Sequence, residues 1–109
     1  MSGMGAPTKE LQEVVRRLVN SLQPEQIYLF GSYARGTQTQ GQSDIDLLVI
    51  VPESDLPRHQ REAHSYDSLW GLTTPIELVV LTREEFNRSR RVKNSLASSV
   101  QNQGVLIYG

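Results

Sequence analysis

Ser43-Asp44-Ile45-Asp46-Leu47-Leu48-Val49-Ile50-Val51-Pro52 is the stretch on which the reading of this 109-residue chain turns. From Leu47 to Val51 every residue is apolar, so neither face of the segment has a polar alternation to offer water. That pattern predicts a strand covered on both faces, inside a sheet, closed by Pro52. Asp44 and Asp46 stand at its start, two residues apart, so their side chains leave the same face of a strand. Two carboxylates so close repel each other, and next to a sheet core they are costly unless a cation neutralises them. Oxygen donors of this kind suit magnesium or manganese. Such a pair can hold two ions ~3.5–4 Å apart, the spacing that clamps the attacking and leaving oxygens of a phosphoryl or nucleotidyl transfer. The plainer alternative is a strand that opens on two solvated aspartates. The apolar run behind them favours a central strand over a frayed edge.

Upstream, Ile27-Tyr28-Leu29-Phe30 is short and rich in strand formers, and it runs directly into Gly31-Ser32. Gly31 permits a sharp bend and a close backbone approach to a ligand. A helix beginning at Ser32 would aim unpaired N–H groups and its positive end at phosphate oxygens, with the Ser32 hydroxyl as a further donor. Arg35 lies about one turn on, placed to offset phosphate charge. An ordinary strand-to-helix turn with a serine cap explains the same residues. Thr37 to Ser43 is polar and reads as a loop. Before this strand, Leu11, Val14, Val15, Leu18, Val19 and Leu22 recur at helical spacing, with Thr8 as a cap and Pro24 past the end.

Downstream, Pro57 opens a polar helical stretch to about Trp70, with Ala63, Tyr66, Leu69 and Trp70 as a weak apolar pattern. Pro75 to Leu81 predicts a third strand, interrupted by Glu77, whose face is shared by Val79 and Leu81. A charge in such a strand needs a reason. If the strand lies beside the aspartate strand, Glu77 can reach the same centre as metal ligand and general base. If it is an edge strand, Glu77 can equally face water. Thr82-Arg83-Glu84-Glu85 is a capping box, from which one helix is expected to run to about Asn102, ended by Gly104. Val105 to Tyr108 is expected to add a short strand or a packed tail. Helix and strand alternate, so the class is α/β (α+β), a small sheet of three to four strands backed by helices.

The chain is read as residues 1–7, a flexible N-terminus, and one domain over 8–109. It has no cysteine, which excludes disulfides, thiolate zinc sites and cysteine nucleophiles. A net charge of −1 gives no overall attraction for nucleic acid. The run Arg83, Arg88, Arg90, Arg91 and Lys93 is a local basic excess, either a solvated helix face or a contact for phosphate, RNA or an acidic partner. His59 and His64, five apart, fall on different sides of a helix and make a poor metal site. Trp70, the one tryptophan, reads as core or interface. Asn87-Arg88-Ser89 fits the glycosylation pattern by chance. There is no secretion signal and no apolar run of the ~20 residues a membrane span needs, so a cytoplasmic location is expected.

Leu29 to Gly36 followed by Ser43 to Val49 resembles the signature of the polymerase-beta-like nucleotidyltransferase superfamily, and in particular its minimal, single-domain members. The resemblance implies a mixed sheet with helices packed on it, triphosphate bound at Gly31 and Ser32 with Arg35 nearby, and two magnesium ions held by Asp44 and Asp46, with manganese as a substitute. The third carboxylate of the family, commonly an aspartate on a later strand, maps to Glu77. Two features depart from the pattern. The loop Tyr33 to Ser43 is one residue longer than usual, and glutamate is longer than aspartate at the third position. Minimal members often pair with a helical HEPN-domain protein as the antitoxin of a toxin–antitoxin pair, and some adenylylate a tyrosine of that toxin. A chain with little room for an acceptor-binding lobe agrees with this arrangement. The expected activity is transfer of AMP from ATP to an acceptor hydroxyl, on a tyrosine of such a partner. The alternative is a non-catalytic antitoxin that neutralises its partner by complex formation. An enzyme acting on a small molecule or an RNA end is a further reading. The number of subunits, alone or with a partner, is left open.

Overall fold

The structure is a computed structural model, and it describes residues 9–31 and 45–109. The elements follow in the order α1 (Lys9–Leu22), β1 (Gln26–Phe30), β2 (Ile45–Val51), α2 (Arg58–Asp67), β3 (Ile76–Thr82), α3 (Arg83–Ser89), α4 (Leu96–Gln103) and β4 (Val105–Tyr108). The strands form one sheet in the order β3-β2-β1-β4. β1 runs antiparallel to both β2 and β4, and β2 runs parallel to β3. The sheet is therefore four-stranded, within the three to four strands expected, and mixed, as the family resemblance implied.

Two cores cover its two faces. On one, Leu11, Val14 and Leu18 of α1 pack with Ile27, Leu29, Ile45, Leu47, Val49, Leu78 and Val80. On the other, Leu48 and Ile50 pack with Phe86 of α3 and with Ala97 and Val100 of α4. The unbroken apolar run of β2 has its cause here: odd residues serve one core and even residues the other. Asp46 is the exception, the one β2 residue that is not fully buried. By alternation it belongs to the α3–α4 face, at the end of the strand where that core gives out.

Three readings of the helices need correction. The long C-terminal helix is two, broken between Ser89 and Leu96. Asn94 takes φ +68 in the break, and Ser95 caps α4 by accepting from the Ser98 N–H while its own hydroxyl donates to the Ser89 carbonyl. Asparagine tolerates the left-handed region better than most residues, and here it leads directly into the cap of α4. The capping box at Thr82 and Glu85 is present with both of its bonds. The helix after Pro57 ends at Asp67 instead of reaching Trp70, and of the four apolar residues that suggested it only Leu69 is buried. Ala63, Tyr66 and Trp70 are exposed, Trp70 to 85%, which removes its core reading. The inward face is Arg61 and Ser65, with Leu69 just past the end of the helix.

Arg61 is 7% exposed and almost fully hydrogen-bonded. Its Nη1 and Nη2 donate to the two carboxylate oxygens of Glu85 at 2.7 and 2.9 Å. Nη1 also donates to the Val80 carbonyl and Nε to that of Leu56, each at 2.9 Å. This guanidinium joins α2, β3 and α3. Through the same helix the outer margin of β3 is closed. The Leu78 N–H donates to the Tyr66 hydroxyl, the Val80 N–H to Glu62 and the Thr82 N–H to Glu85. Edge strands are usually blunted in some way, and here side chains of α2 and α3 occupy the outward donors.

Candidate active site

Asp46 sits at the junction of three strands. On one side its register partner is Phe30, the last residue of β1, and the chain bends at the next residue, Gly31. On the other its partner is Glu77 of β3. Residues paired in register on neighbouring strands point to the same face ~4.7–4.9 Å apart. The Asp46 and Glu77 carboxyl groups thus share one rim, on the face that also carries Tyr28, Phe30, Val79 and Leu81. Glu77 is exposed on an edge strand and is also the neighbour of the aspartate. Both placements weighed for it from the sequence hold at once.

Gly31 has φ +76, a region that costs a side chain about 1–2 kcal/mol. A Cβ built there would lie 2.2 Å from Asp46 Oδ2, closer than real contacts allow. The bend itself calls for glycine, and any side chain there would also have to push the Asp46 carboxylate aside. The second reason was not legible in the sequence, where Gly31 suggested only a phosphate turn. Gly31→Ala is expected to lower stability by at least about 1–2 kcal/mol and to push the carboxylate aside. In an Asp46→Ala background the same substitution should cost measurably less, because the oxygen it strikes is gone. Thermal or denaturant melts of the four proteins in a double-mutant cycle read this coupling, and strict additivity would show that the two groups do not touch.

Ser32, Arg35 and Asp44 lie outside the described residues. Of the expected site residues, the structure brings together Gly31, Asp46 and Glu77. As a donor set, two anionic carboxylates on one rim fit a hard divalent cation, which takes oxygen ligands and offsets their mutual repulsion. Among the described residues no three histidine, cysteine, aspartate or glutamate side chains gather tightly enough to hold a metal. Completing a ligand set would fall to Asp44.

Arg83, Arg88 and Arg91 of the basic run lie beside Pro52, at the opposite end of β2 from Asp46. Arg83 turns back to β1, donating from Nε to Glu25 at 2.8 Å and from its Nη2 to Gln26 at 2.6 Å. Arg83 and Arg90 both lie over the Phe86 ring, at 5.6 and 5.9 Å from its centre. Among the described residues no helix is long and apolar enough to cross a membrane.

Comparison with known proteins gives a consistent picture. A family model described as a nucleotidyltransferase domain matches residues 8–102. A protein of Methanocaldococcus jannaschii, provisionally named a protein adenylyltransferase, is 42% identical over 52 residues, covering 44% of this chain and 51% of that protein. The chain spans about half the length of this curated relative. A crystal structure provisionally assigned as a nucleotidyltransferase, from Sulfolobus solfataricus, has the same fold. It superposes with a TM-score of 0.60 at 24% identity, over 95% of this chain and 90% of that one. A second crystal structure of the same provisional assignment gives a TM-score of 0.51 at 26% identity, over 77% and 90%.

Proposed function

Because this chain belongs to the nucleotidyltransferase domain family, we propose that it transfers AMP from ATP to a hydroxyl of a partner protein, a tyrosine of a helical HEPN-type toxin, and acts as its antitoxin. Nucleotidyl transfer in general follows from the family. The adenylyl group is supported by the provisional name of the Methanocaldococcus relative. The observation that carries the reading is the position of the Asp46 carboxylate, against the Gly31 bend on one side and in register with Glu77 on the other.

In this mechanism the triphosphate lies along the bend at Gly31 and Ser32, with Arg35 offsetting its charge. Asp44, Asp46 and Glu77 are the residues that would hold magnesium, which when bound neutralises charge on the phosphoryl group in transfer. Glu77, exposed at the start of β3, takes the proton of the acceptor hydroxyl. The acceptor oxygen forms its bond to the α-phosphorus as the bond to the β-phosphate oxygen breaks, and pyrophosphate leaves. Holding these groups in line supplies most of the acceleration.

The test uses the chain, the protein encoded beside its gene, magnesium and ATP labelled in the α-phosphate. Label is expected to appear on the partner, on tyrosine. Glu77→Gln is expected to slow transfer about 10²–10⁴-fold, the range for loss of a general base. A stable complex that acquires no label would replace this reading with that of a binding antitoxin.

A further inference from the structure

Residues 83–93 carry five of the eleven lysines and arginines and two of the twelve acidic residues, a net +3 in a chain whose total is −1. The proposed transfer uses none of these cations. Arg83 is held by Glu25, and Glu85 is taken by Arg61. Arg90 lies over the Phe86 ring. Arg88, Arg91 and Lys93 are exposed and, among the described residues, make no ion pair or hydrogen bond. Arg88 and Arg91, three residues apart, border an open hollow of about 540 Å³ lined by Pro52, Arg83, Glu84, Asn87, Arg88 and Arg91. Glu84 is the one carboxylate in that lining. Unpaired like charges gathered in this way repel one another, and an anionic partner relieves the repulsion.

The surroundings decide which kind of anion fits. Directly after Arg91, Val92 is 59% exposed, and Leu96 at the start of α4 is 40% exposed. An aliphatic side chain set between Arg91 and Lys93 offers nothing to a phosphate and suits an apolar side chain of a protein. The patch has no platform on which a base could stack, because its aromatic ring, Phe86, is 1% exposed. An extended phosphate backbone would also run off this short patch onto the remainder of the chain, which is net negative. A protein segment with a few carboxylates around an apolar side chain matches both the cations and Val92.

The place of the hollow is also suited to a protein partner. α3 covers the sheet face to which the Asp46 side chain belongs, and Pro52 follows the last residue of β2. From Asp46 to Pro52 along the extended strand is roughly 20 Å, a span that one folded partner can cover.

We propose that residues 88–96 are a second docking surface for the protein that carries the acceptor hydroxyl, and that they engage an acidic segment of it bearing an exposed apolar side chain. The inference rests on the transfer reading above and adds what the partner must present: carboxylates about 20 Å from the acceptor hydroxyl. Arg88 and Arg91 act on docking alone and touch neither nucleotide nor reacting atoms.

The probe is the protein encoded beside the gene. Its affinity for the intact chain, for Arg88→Glu/Arg91→Glu and for the milder Arg88→Gln/Arg91→Gln is measured by calorimetry at about 50 and about 500 mM salt. Steady-state transfer is followed on the same preparations, and a melt of each variant verifies the fold. Charge reversal is expected to weaken the complex about tenfold or more and to raise KM for the partner equally, with kcat unchanged. The amide pair is expected to fall between reversal and wild type. Salt is expected to weaken the wild-type complex and not that of the reversed variant. Affinity within twofold of wild type after reversal would overturn the inference, and so would a loss that salt does not reproduce. Binding of an RNA oligonucleotide that reversal abolishes, with partner affinity untouched, would give the patch to nucleic acid instead. A complex that obeys these changes but acquires no AMP would sink the transfer reading and leave the docking surface standing. Transfer at an unchanged KM would do the opposite. A wild-type chain that neither binds the partner nor modifies it would overturn both.

Discussion

Asparagine in place of Asp46 is expected to reduce nucleotidyl transfer by about 10³-fold or more, the upper range for removing one electrostatic contact from an active site. The substitution keeps the shape of the side chain, so the close approach to Gly31 survives. What it removes is a negative charge that sits in register with Glu77 and two residues from Asp44. Without a cation the Asp46 and Glu77 carboxylates, paired in register, repel one another. The amide keeps the shape of the side chain and an acceptor oxygen, so the variant is expected to fold and to melt near the wild-type temperature. Activity falls while stability holds, the signature of a residue placed for chemistry. Initial rates with α-labelled ATP and a calorimetric melt of the same preparation decide the matter. Transfer within threefold of wild type would remove Asp46 from the mechanism. A drop in melting temperature of ten degrees would make it a structural residue.

Arg61→Ala is expected to cause the largest loss of stability, about 3–5 kcal/mol, as when one partner of a buried ion pair is deleted. Small domains have ~5–15 kcal/mol in total, so this variant approaches the threshold of folding. Four acceptor interactions end together: both oxygens of Glu85 and the carbonyls of Val80 and Leu56. The Arg61 side chain is 8% exposed but that of Glu85 is 32%, so water recovers part of the glutamate's loss and the lower half of the range is the better figure.

The pair also sets an acid limit. The Arg61 guanidinium, opposed by partial burial and helped by the Thr82 N–H, holds the Glu85 carboxyl down to about 2 from the ordinary 4.5. A carboxylate whose folded pKa is depressed stabilises the fold above its unfolded pKa and loses that contribution as protons bind. The contribution is complete above about pH 4.5 and disappears as pH falls toward 2. Denaturant melts at pH 7, 4 and 2.5 should show the decline in the wild type and a much flatter profile in Glu85→Gln, which keeps the cap geometry without the charge. Parallel profiles would assign the acid sensitivity to other carboxylates.

The heart of the fold was legible because β2 carries its own evidence. A strand apolar at both odd and even positions has to lie inside a sheet covered twice, and Asp46 then marks where the cover ends. Glu77 was legible as an anomaly, but its partnership with Asp46 depended on which strands are neighbours and in what register, and no local pattern encodes that. The packing of α2 was misread for a physical reason. A buried arginine looks like a surface residue to any rule of hydrophobic spacing, and its burial is possible only because Glu85, 24 positions later, meets it. The break before α4 was hidden in Asn94 and Ser95, which act as a left-handed residue and a cap only in the context of the chain reversal.

The side chains that occupy the outward N–H groups of β3 have a bearing on how an acceptor is met. Many peptide-recognising domains capture an extended segment by zipping it onto a bare sheet margin, which reads backbone and tolerates varied sequence. On the flank bearing Glu77 that mode is unavailable, because Tyr66, Glu62 and Glu85 already hold the donors at Leu78, Val80 and Thr82. Under the function proposed above, a hydroxyl brought to Glu77 would have to come by a mode other than strand addition on this flank, as from a helix or loop of a folded partner.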